Sequence, residues 1–325
     1  MMSILDSKPK ETCEVTEIKL SMEASAIAVH DLHVQYRSKK GKSVEAVQGL
    51  SFSVGRGEIV GFLGPNGAGK SSTLKALMGF VQPKAGRAYV FGLDCGSIDS
   101  RKRIGYLPEV AMYYPYLTPL ETLTLYGELQ GLFGSSLRKE ATELLEQVGL
   151  GESLRKQNRS LSKGMLQRVG IAQSLLGSPE LLILDEVTSG LDPVGRKELR
   201  NLLKQRQKQG ATLFFSSHEL SEVDMLCDRI LLINQGKLIE ERKLDTLKTD
   251  LRHFAITYSG DVILNDLADK TWSESGNLHT TFQNKELLIQ GVQRVQLNGG
   301  TVIDIIAQEG SLEDYFVETI GKAAA

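Results

Sequence analysis

Nine consecutive residues, Gly64-Pro65-Asn66-Gly67-Ala68-Gly69-Lys70-Ser71-Ser72, combine three glycines, a lysine and two hydroxyls. They fit the pattern glycine, four residues, Gly-Lys-Ser. Gly64, Gly67 and Gly69 let the backbone bend so that successive N–H groups point inward with no side chain between them and an anion. A helix starting behind the loop adds a field that favours negative charge. Lys70 has the reach to touch β- and γ-phosphates, and the Ser71 hydroxyl is a magnesium ligand of the right hardness. The chemistry indicated is binding of a nucleoside triphosphate with Mg²⁺.

A second group follows in Leu181-Leu182-Ile183-Leu184-Asp185-Glu186. The apolar run reads as a buried strand, so its carboxylates emerge at the carboxyl edge, where open α/β sheets hold their ligands. Asp185 would hold magnesium, directly or through water, and Glu186 would polarise the attacking water. His218 closes the strand Leu213-Phe214-Phe215-Ser216-Ser217, and a third parallel strand would deliver it to the same edge, within reach of a γ-phosphate. The other histidines, His30, His33, His253 and His279, read as structural or exposed. Leu161-Ser162-Lys163-Gly164-Met165 holds no acid or base. Ser162 there reads as a helix N-cap, beside Gly164 with its uncovered backbone N–H.

The elements that must carry these groups alternate. Ala26 to Tyr36 reads as a half-buried strand, Gly57 to Gly64 as a buried one, and Gly69 onward as a helix. Thr118, Pro119 and Glu121 make a capping box with proline at the first helical position. Leu137, Ala141, Leu144, Leu145 and Val148 share one helix face that stops at Gly149. Asp192 caps a helix, Ser221 and Asp224 box the next, and Gln235-Gly236 turns a hairpin. Strands alternating with helices imply a largely parallel sheet covered on both faces. Beyond Glu241 the pattern loosens into a smaller unit, with a strand at Thr301 to Ala307 and a capped amphipathic helix burying Leu312, Tyr315 and Phe316.

In this order the motifs resemble the nucleotide-binding subunit of an ATP-binding-cassette (ABC) transporter, from about Ala26 to Glu240. The family signature, usually Leu-Ser-Gly-Gly-Gln, corresponds to Leu161 to Met165. The resemblance implies an α/β fold, a P-loop NTPase of ABC type with a RecA-like core, an antiparallel β part and a helical subdomain at about 110–178, followed by a small α+β extension. The divisions are 1–25, polar; 26–240, the nucleotide-binding domain; and 241–325, accessory. It also implies that Tyr36 stacks on adenine, that residues 64–72 bind ATP, and that Ser162, Lys163 and Gly164 contact ATP held by a second subunit. The loop Ser189-Gly190-Leu191-Asp192 matches the family's D-loop. Lys70, Glu186 and His218 are then the catalytic groups, and Ser71, Asp185 and Glu109 the magnesium ligands. Glu109 stands where the family switch normally has glutamine, Lys163 and Met165 replace Gly and Gln, and Val187 follows Glu186 where proline is common. These departures resemble bacterial exporters with a separate six-helix permease. The expected partners are that permease and a second copy of the chain, at the cytoplasmic face of the cell membrane.

With 325 residues, 41% hydrophobic and 24% charged, the chain can bury one large domain and a smaller appendage. A formal net charge of −2 gives no electrostatic reason to expect nucleic acid. Cys13, Cys95 and Cys227 form no Cys-x-x-Cys pair, which suits a reducing compartment. The first twenty residues lack the apolar core of a secretory signal, and no segment approaches about 18 consecutive apolar residues. Met112, Tyr113, Tyr114 and Tyr116 carry two readings, packing of the helical lobe or a face for the permease. The rival functional class is a soluble ABC-type ATPase acting on a macromolecular complex. Chromosomal types need a long coiled coil between loop and signature, which is missing here, and ribosomal types need two cassettes, whereas this chain has one phosphate loop.

Overall fold

The computed structural model describes residues 25–37, 43–217, 219–260, 262–264, 266–274 and 276–324. In chain order the first unit, Met1–Glu241, runs β1 (Ser25–Arg37), β2 (Ser43–Gly55), β3 (Ile59–Leu63), α1 (Lys70–Leu77), β4 (Ala85–Val90), β5 (Leu93–Asp94), α2 (Ile98–Arg101) and β6 (Ile104–Leu107). It continues with α3 (Pro119–Leu129), α4 (Gly134–Gln147), α5 (Lys163–Ser174), β7 (Leu181–Asp185), α6 (Pro193–Lys208), β8 (Thr212–Ser216), α7 (Leu220–Leu226), β9 (Arg229–Asn234) and β10 (Lys237–Lys243).

Two sheets share one core in this unit. The larger has the order β10-β9-β3-β8-β7-β6, with β3, β6, β7, β8 and β9 parallel. Its strands β3, β7 and β8 are buried at every position, as expected of strands covered on both faces. Gln235 and Gly236, at φ 48° and 78°, give the two left-handed residues a tight hairpin needs between β9 and β10. The smaller sheet, β2-β1-β4-β5, is antiparallel. Phe52 of β2, Phe62 of β3 and Phe214 of β8 meet with ring centroids 5.1 to 5.8 Å apart and join the sheets through one hydrophobic cluster that also includes Leu74 and Leu77 of α1. Each such buried aromatic contributes about 2–3 kcal/mol of transfer free energy, and the loop between β3 and α1 is flanked on both sides by residues of this cluster.

The helical segment between β6 and β7 has its own supports. Thr118 and Glu121 form the anticipated capping box, with Thr118 N donating to Glu121 Oε2 at 2.8 Å and Glu121 N to Thr118 Oγ1 at 3.2 Å. Leu137, Ala141, Leu144 and Leu145 of α4 are buried along one face. Buried Asn158 donates to Thr122 Oγ1 and to the Tyr114 carbonyl, tying the approach to α5 onto α3.

One expected cap is absent. The helix assigned to a Ser221–Asp224 box begins at Leu220, with Glu219 as N-cap and no side-chain cap, so Ser221 lies within the first turn. The entry is fixed from outside the helix: Ser217 Oγ accepts the Glu219 N–H at 3.0 Å, Arg196 pairs with Glu219, and Arg200 donates to both oxygens of buried Glu222. Tertiary ion pairs from α6 set the boundary in place of a local box.

The second unit, Arg242–Ala325, contains α8 (Leu244–Asp250), β11 (Arg252–Ser259), β12 (Lys270–Glu274), β13 (Asn277–Phe282), α9 (Lys285–Leu297), β14 (Thr301–Glu309) and α10 (Leu312–Ala324). Its sheet has the antiparallel order β12-β13-β11-β14. Ile256, Tyr258 and Phe282 pack with Leu288 and Val295 of α9 as a separate core. On α10, Leu312, Tyr315 and Phe316 are half-buried, less than the burial expected of them.

Candidate functional site

Residues 66–72 line a cavity of about 520 Å³, together with Tyr36, Ala46, Glu109, Asp185, Glu186 and Ser189. That volume lies in the range of small-molecule and cofactor sites. The loop shape follows from its glycines: Gly67 has φ 82° and Gly69 φ 108°, conformations that side-chain-bearing residues rarely adopt. Gly69 is also pressed against β2, since a Cβ there would stand 2.5 Å from the Ala46 carbonyl oxygen. Gly64 and Pro65 lie behind the cavity wall and present their carbonyls to Lys70, whose Nζ donates to them at 2.6 and 3.3 Å. Lys70 is buried. Burial lowers its pKa, and the carboxylates of Glu186, Asp185 and Glu109 oppose that shift.

Asp185 ends β7 in a buried position, where the Ser216 hydroxyl of β8 donates to its Oδ1. That bond leaves the other carboxylate oxygen for the cavity. Neighbouring Tyr106 of β6 is pushed up to about 12, first by burial and then by the Asp185 charge, so it stays a neutral phenol. Glu186 is half-buried at φ 51°, a left-handed conformation costly for a residue with a Cβ. Its N–H donates to the Ser216 carbonyl at 3.2 Å, and its carbonyl accepts from Ser189 N at 3.1 Å. Two backbone bonds thus hold a strained residue at the cavity wall. Ser216 carried no expectation from sequence, because hydroxyls beside acidic strand ends have no distinguishing spacing.

The remaining expected residues divide plainly. Tyr36 lies at the cavity wall with 37% of its surface exposed. His218 lies outside the described residues. Ser162, Lys163 and Gly164 do not line this cavity. Ser162 caps α5 by accepting the Met165 N–H at 3.2 Å, and with Lys163 it is exposed. Gly190, Leu191 and Asp192 lie outside the cavity as well: Leu191 is buried, and Asp192 caps α6 through Gly195 N at 3.0 Å. The turn at Ser162 to Gly164 touches the loop Ser189 to Asp192 of the same chain. A Cβ on Gly164 would stand 2.7 Å from the Gly190 carbonyl oxygen, and a Cβ on Gly190 would meet the Lys163 methylenes at 3.3 to 3.4 Å.

The four residues after the switch separate too. Met112, Tyr114 and Tyr116 are 85%, 65% and 68% exposed. Tyr113 instead packs edge-on against Tyr126 of α3 at 5.9 Å, and burial raises its pKa. It belongs to the helical lobe, so the sequence reading of a shared outward face does not hold for it.

The donors suit a magnesium triphosphate. A serine hydroxyl and carboxylates are hard oxygen ligands, and magnesium usually takes only one or two carboxylates from a protein, completing its shell with phosphates and water. Among the described residues no cluster of three His, Cys, Asp or Glu side chains forms a metal site by itself. Three carboxylates beside one lysine also leave negative charge that a bound divalent cation would offset.

A glycine-shaped loop between a buried strand and a helix, backed by an Asp-Glu strand end, defines a P-loop ATPase. Residues 47–189 match the family model described as ABC transporter. An uncharacterized ABC transporter ATP-binding protein of Nostoc sp. is 38% identical over 92% of this chain and 90% of its own length. The bacitracin transport ATP-binding protein BcrA of Bacillus licheniformis is 38% identical over 92% of this chain and 98% of its own, and a fluoroquinolones export ATP-binding protein of Mycobacterium tuberculosis is 34% identical over 85% and 88%. Among solved structures, the dimeric ATP-binding cassette MJ0796 with ADP and Pi superposes with a TM-score of 0.63 at 25% identity, covering 67% of this chain and 98% of that one. The chain belongs to the ABC transporter ATP-binding proteins: it binds and hydrolyses ATP to drive transport.

Proposed function

We propose that this chain powers an exporter by pairing with a second copy of itself around two Mg-ATP and docking on a separate membrane permease. In each site Tyr36 stacks on adenine, residues 64–72 cradle the phosphates, and Ser71, Asp185 and Glu109 hold magnesium. Glu186 orients the attacking water, and Lys70 and His218 stabilise charge on the γ-phosphate. Ser162, Lys163 and Gly164 complete the site of the other copy. Hydrolysis then rests on positioning and charge neutralisation, as phosphoryl transfer generally does.

One observation carries this reading: the capped N-terminus of α5, an anion-favouring group with an exposed serine, lies outside the chain's own nucleotide cavity. It serves ATP only if that ATP is held by another subunit. The dimeric form of the MJ0796 cassette supports the pairing, and the names of the bacitracin and fluoroquinolone relatives support export. Among the described residues no helix is long and apolar enough to cross a membrane, and the proposed membrane attachment runs through the permease. Exposed Met112, Tyr114 and Tyr116 are its proposed contact.

The test is to purify the chain from its native membranes in mild detergent and identify what accompanies it by mass spectrometry. A stoichiometric polytopic protein is the expected result. Recovery with ribosomal or chromosomal proteins, free of membrane, would replace this reading by that of a soluble ATPase.

A further inference from the structure

Gln167 sits one turn inside α5, five residues after the Ser162 cap, and is only 7% exposed. A buried amide must find partners or cost stability. Its Nε2 donates to the Val187 carbonyl oxygen at 3.0 Å. Val187 is itself 2% exposed, and among the described residues its carbonyl takes no backbone N–H. Val187 immediately follows Glu186, whose φ of 51° is a conformation that surrounding structure must impose. The bonds at Glu186 itself fix its N–H to Ser216 and its carbonyl to Ser189. The Gln167 bond fixes the next carbonyl, closing the turn on its remaining side. Gly164 and Gly190, in close backbone contact, join the same two segments a second time.

We propose that Gln167 is a positioning residue for the general base: its amide locks the Val187 carbonyl and so holds the Glu186 turn of the same chain in its strained, cavity-facing form. The consequence is a mechanical link. The helix whose N-terminus faces the partner's ATP is bonded, within one chain, to the turn that aims the water-orienting carboxylate at its own ATP. This rests on the head-to-tail pairing proposed above.

Mixed dimers separate the two ideas. The full chain carrying Gln167→Met, or Ser162→Ala, is mixed with a tenfold excess of Glu186→Gln chain, and phosphate release is measured against each variant alone. In such a dimer the variant chain keeps its own phosphate loop and Glu186 but receives the signature of the Glu186→Gln partner. Ser162→Ala should regain turnover, because its damaged signature now serves a site that cannot hydrolyse. Failure to regain it would refute the trans signature and leave the Gln167 contact to be judged alone. Gln167→Met should turn over at least tenfold more slowly than the parent, bind ATP within twofold of it, and regain nothing on mixing, because its defect lies at its own base.

Recovery of the Gln167→Met chain to the Ser162→Ala level would overturn the proposal, since Gln167 would then serve only the signature. Parent-like turnover of Gln167→Met alone would overturn it equally. Gln167→Glu keeps the size and loses the donor, and should reproduce the Met variant. If both variants lost ATP binding along with turnover, Gln167 would be a packing residue and nothing more.

Discussion

Gly67 and Gly69 both line the phosphate cavity and both have positive φ, yet the structure assigns them different costs on replacement by alanine. At Gly69 the φ of 108° lies well outside the small left-handed well open to side-chain-bearing residues, and the new Cβ would stand 2.5 Å from a backbone oxygen of β2. Backbone strain of this kind costs about 1–3 kcal/mol, and overpacking against atoms that cannot rotate away adds about 1–3 kcal/mol. At Gly67, with φ 82°, nothing lies within 4 Å of the added Cβ, so only the conformational part remains, about 1–2 kcal/mol. Gly69→Ala should therefore destabilise the first unit by about 1–3 kcal/mol more than Gly67→Ala, a large share of a typical 5–15 kcal/mol. Gly67→Ala should lose ATP affinity, because its methyl occupies open cavity space, and should lower the unfolding midpoint by less than Gly69→Ala does. The assay is urea unfolding followed by far-UV circular dichroism, with ATP binding measured separately. The single tryptophan, Trp272, lies in the second unit, so its fluorescence reports that unit and not the cassette. Equal destabilisation by both variants would refute the steric argument.

Four further outcomes follow from the same geometry. Glu186→Gln should leave ATP binding equal or tighter, since one carboxylate beside the γ-phosphate becomes neutral, and should lower turnover by about 10²–10⁴, the usual worth of a general base; steady-state phosphate release within tenfold of the parent would remove Glu186 from that role. Glu109→Gln should weaken the apparent Mg²⁺ affinity in the ATPase assay several-fold, because an anionic ligand becomes a neutral one, and an unchanged magnesium titration would exclude Glu109 as a ligand. Burial raises the Cys227 thiol well above 9, so the folded state keeps a proton that the unfolded state releases; the resulting stability is complete below about pH 9 and is lost as pH rises beyond it. Thermal unfolding between pH 8 and 10 should fall more steeply in the parent than in Cys227→Ala, and parallel slopes would contradict this. Thr118→Ala removes one arm of the capping box and should cost about 1 kcal/mol, read from the urea midpoint.

Much of the site could be read from the sequence because its parts signal locally. Gly64 to Ser72 announces itself by composition, and the apolar run before Asp185 announces a buried strand, so their convergence needed only the rule that parallel strands deliver their ends to one edge. The Thr118–Glu121 box and the Gln235-Gly236 turn were legible because each is closed within four residues. The Ser221–Asp224 box has the same local pattern and failed because Arg196 and Arg200, on another helix, decide where α7 begins. The period-2 run Phe254, Ile256, Tyr258 in β11 carried a usable strand signal, but a strand of eight residues says nothing of its partners. Tyr113 differs from Tyr114 and Tyr116 only in which way the chain turns before α3, and no spacing rule records that.

The least legible features are those that make the chemistry possible. A glutamate at φ 51° leaves no mark on the sequence, because the usual mark of a left-handed residue is glycine, and glycine could not play the water-orienting part proposed for Glu186. The strain must be held by partners distant along the chain: Ser216, 30 positions on, and Gln167, 20 positions back from the carbonyl it binds. Gln167 belongs to a helix whose own cap holds no catalytic group and lies outside the cavity. On the two proposals made above, a segment without acid or base bears on hydrolysis twice, through the anion-favouring N-terminus of α5 and through the amide one turn later. The first role is legible as a cap followed by glycine. The second exists only once α5 is folded against the turn after β7.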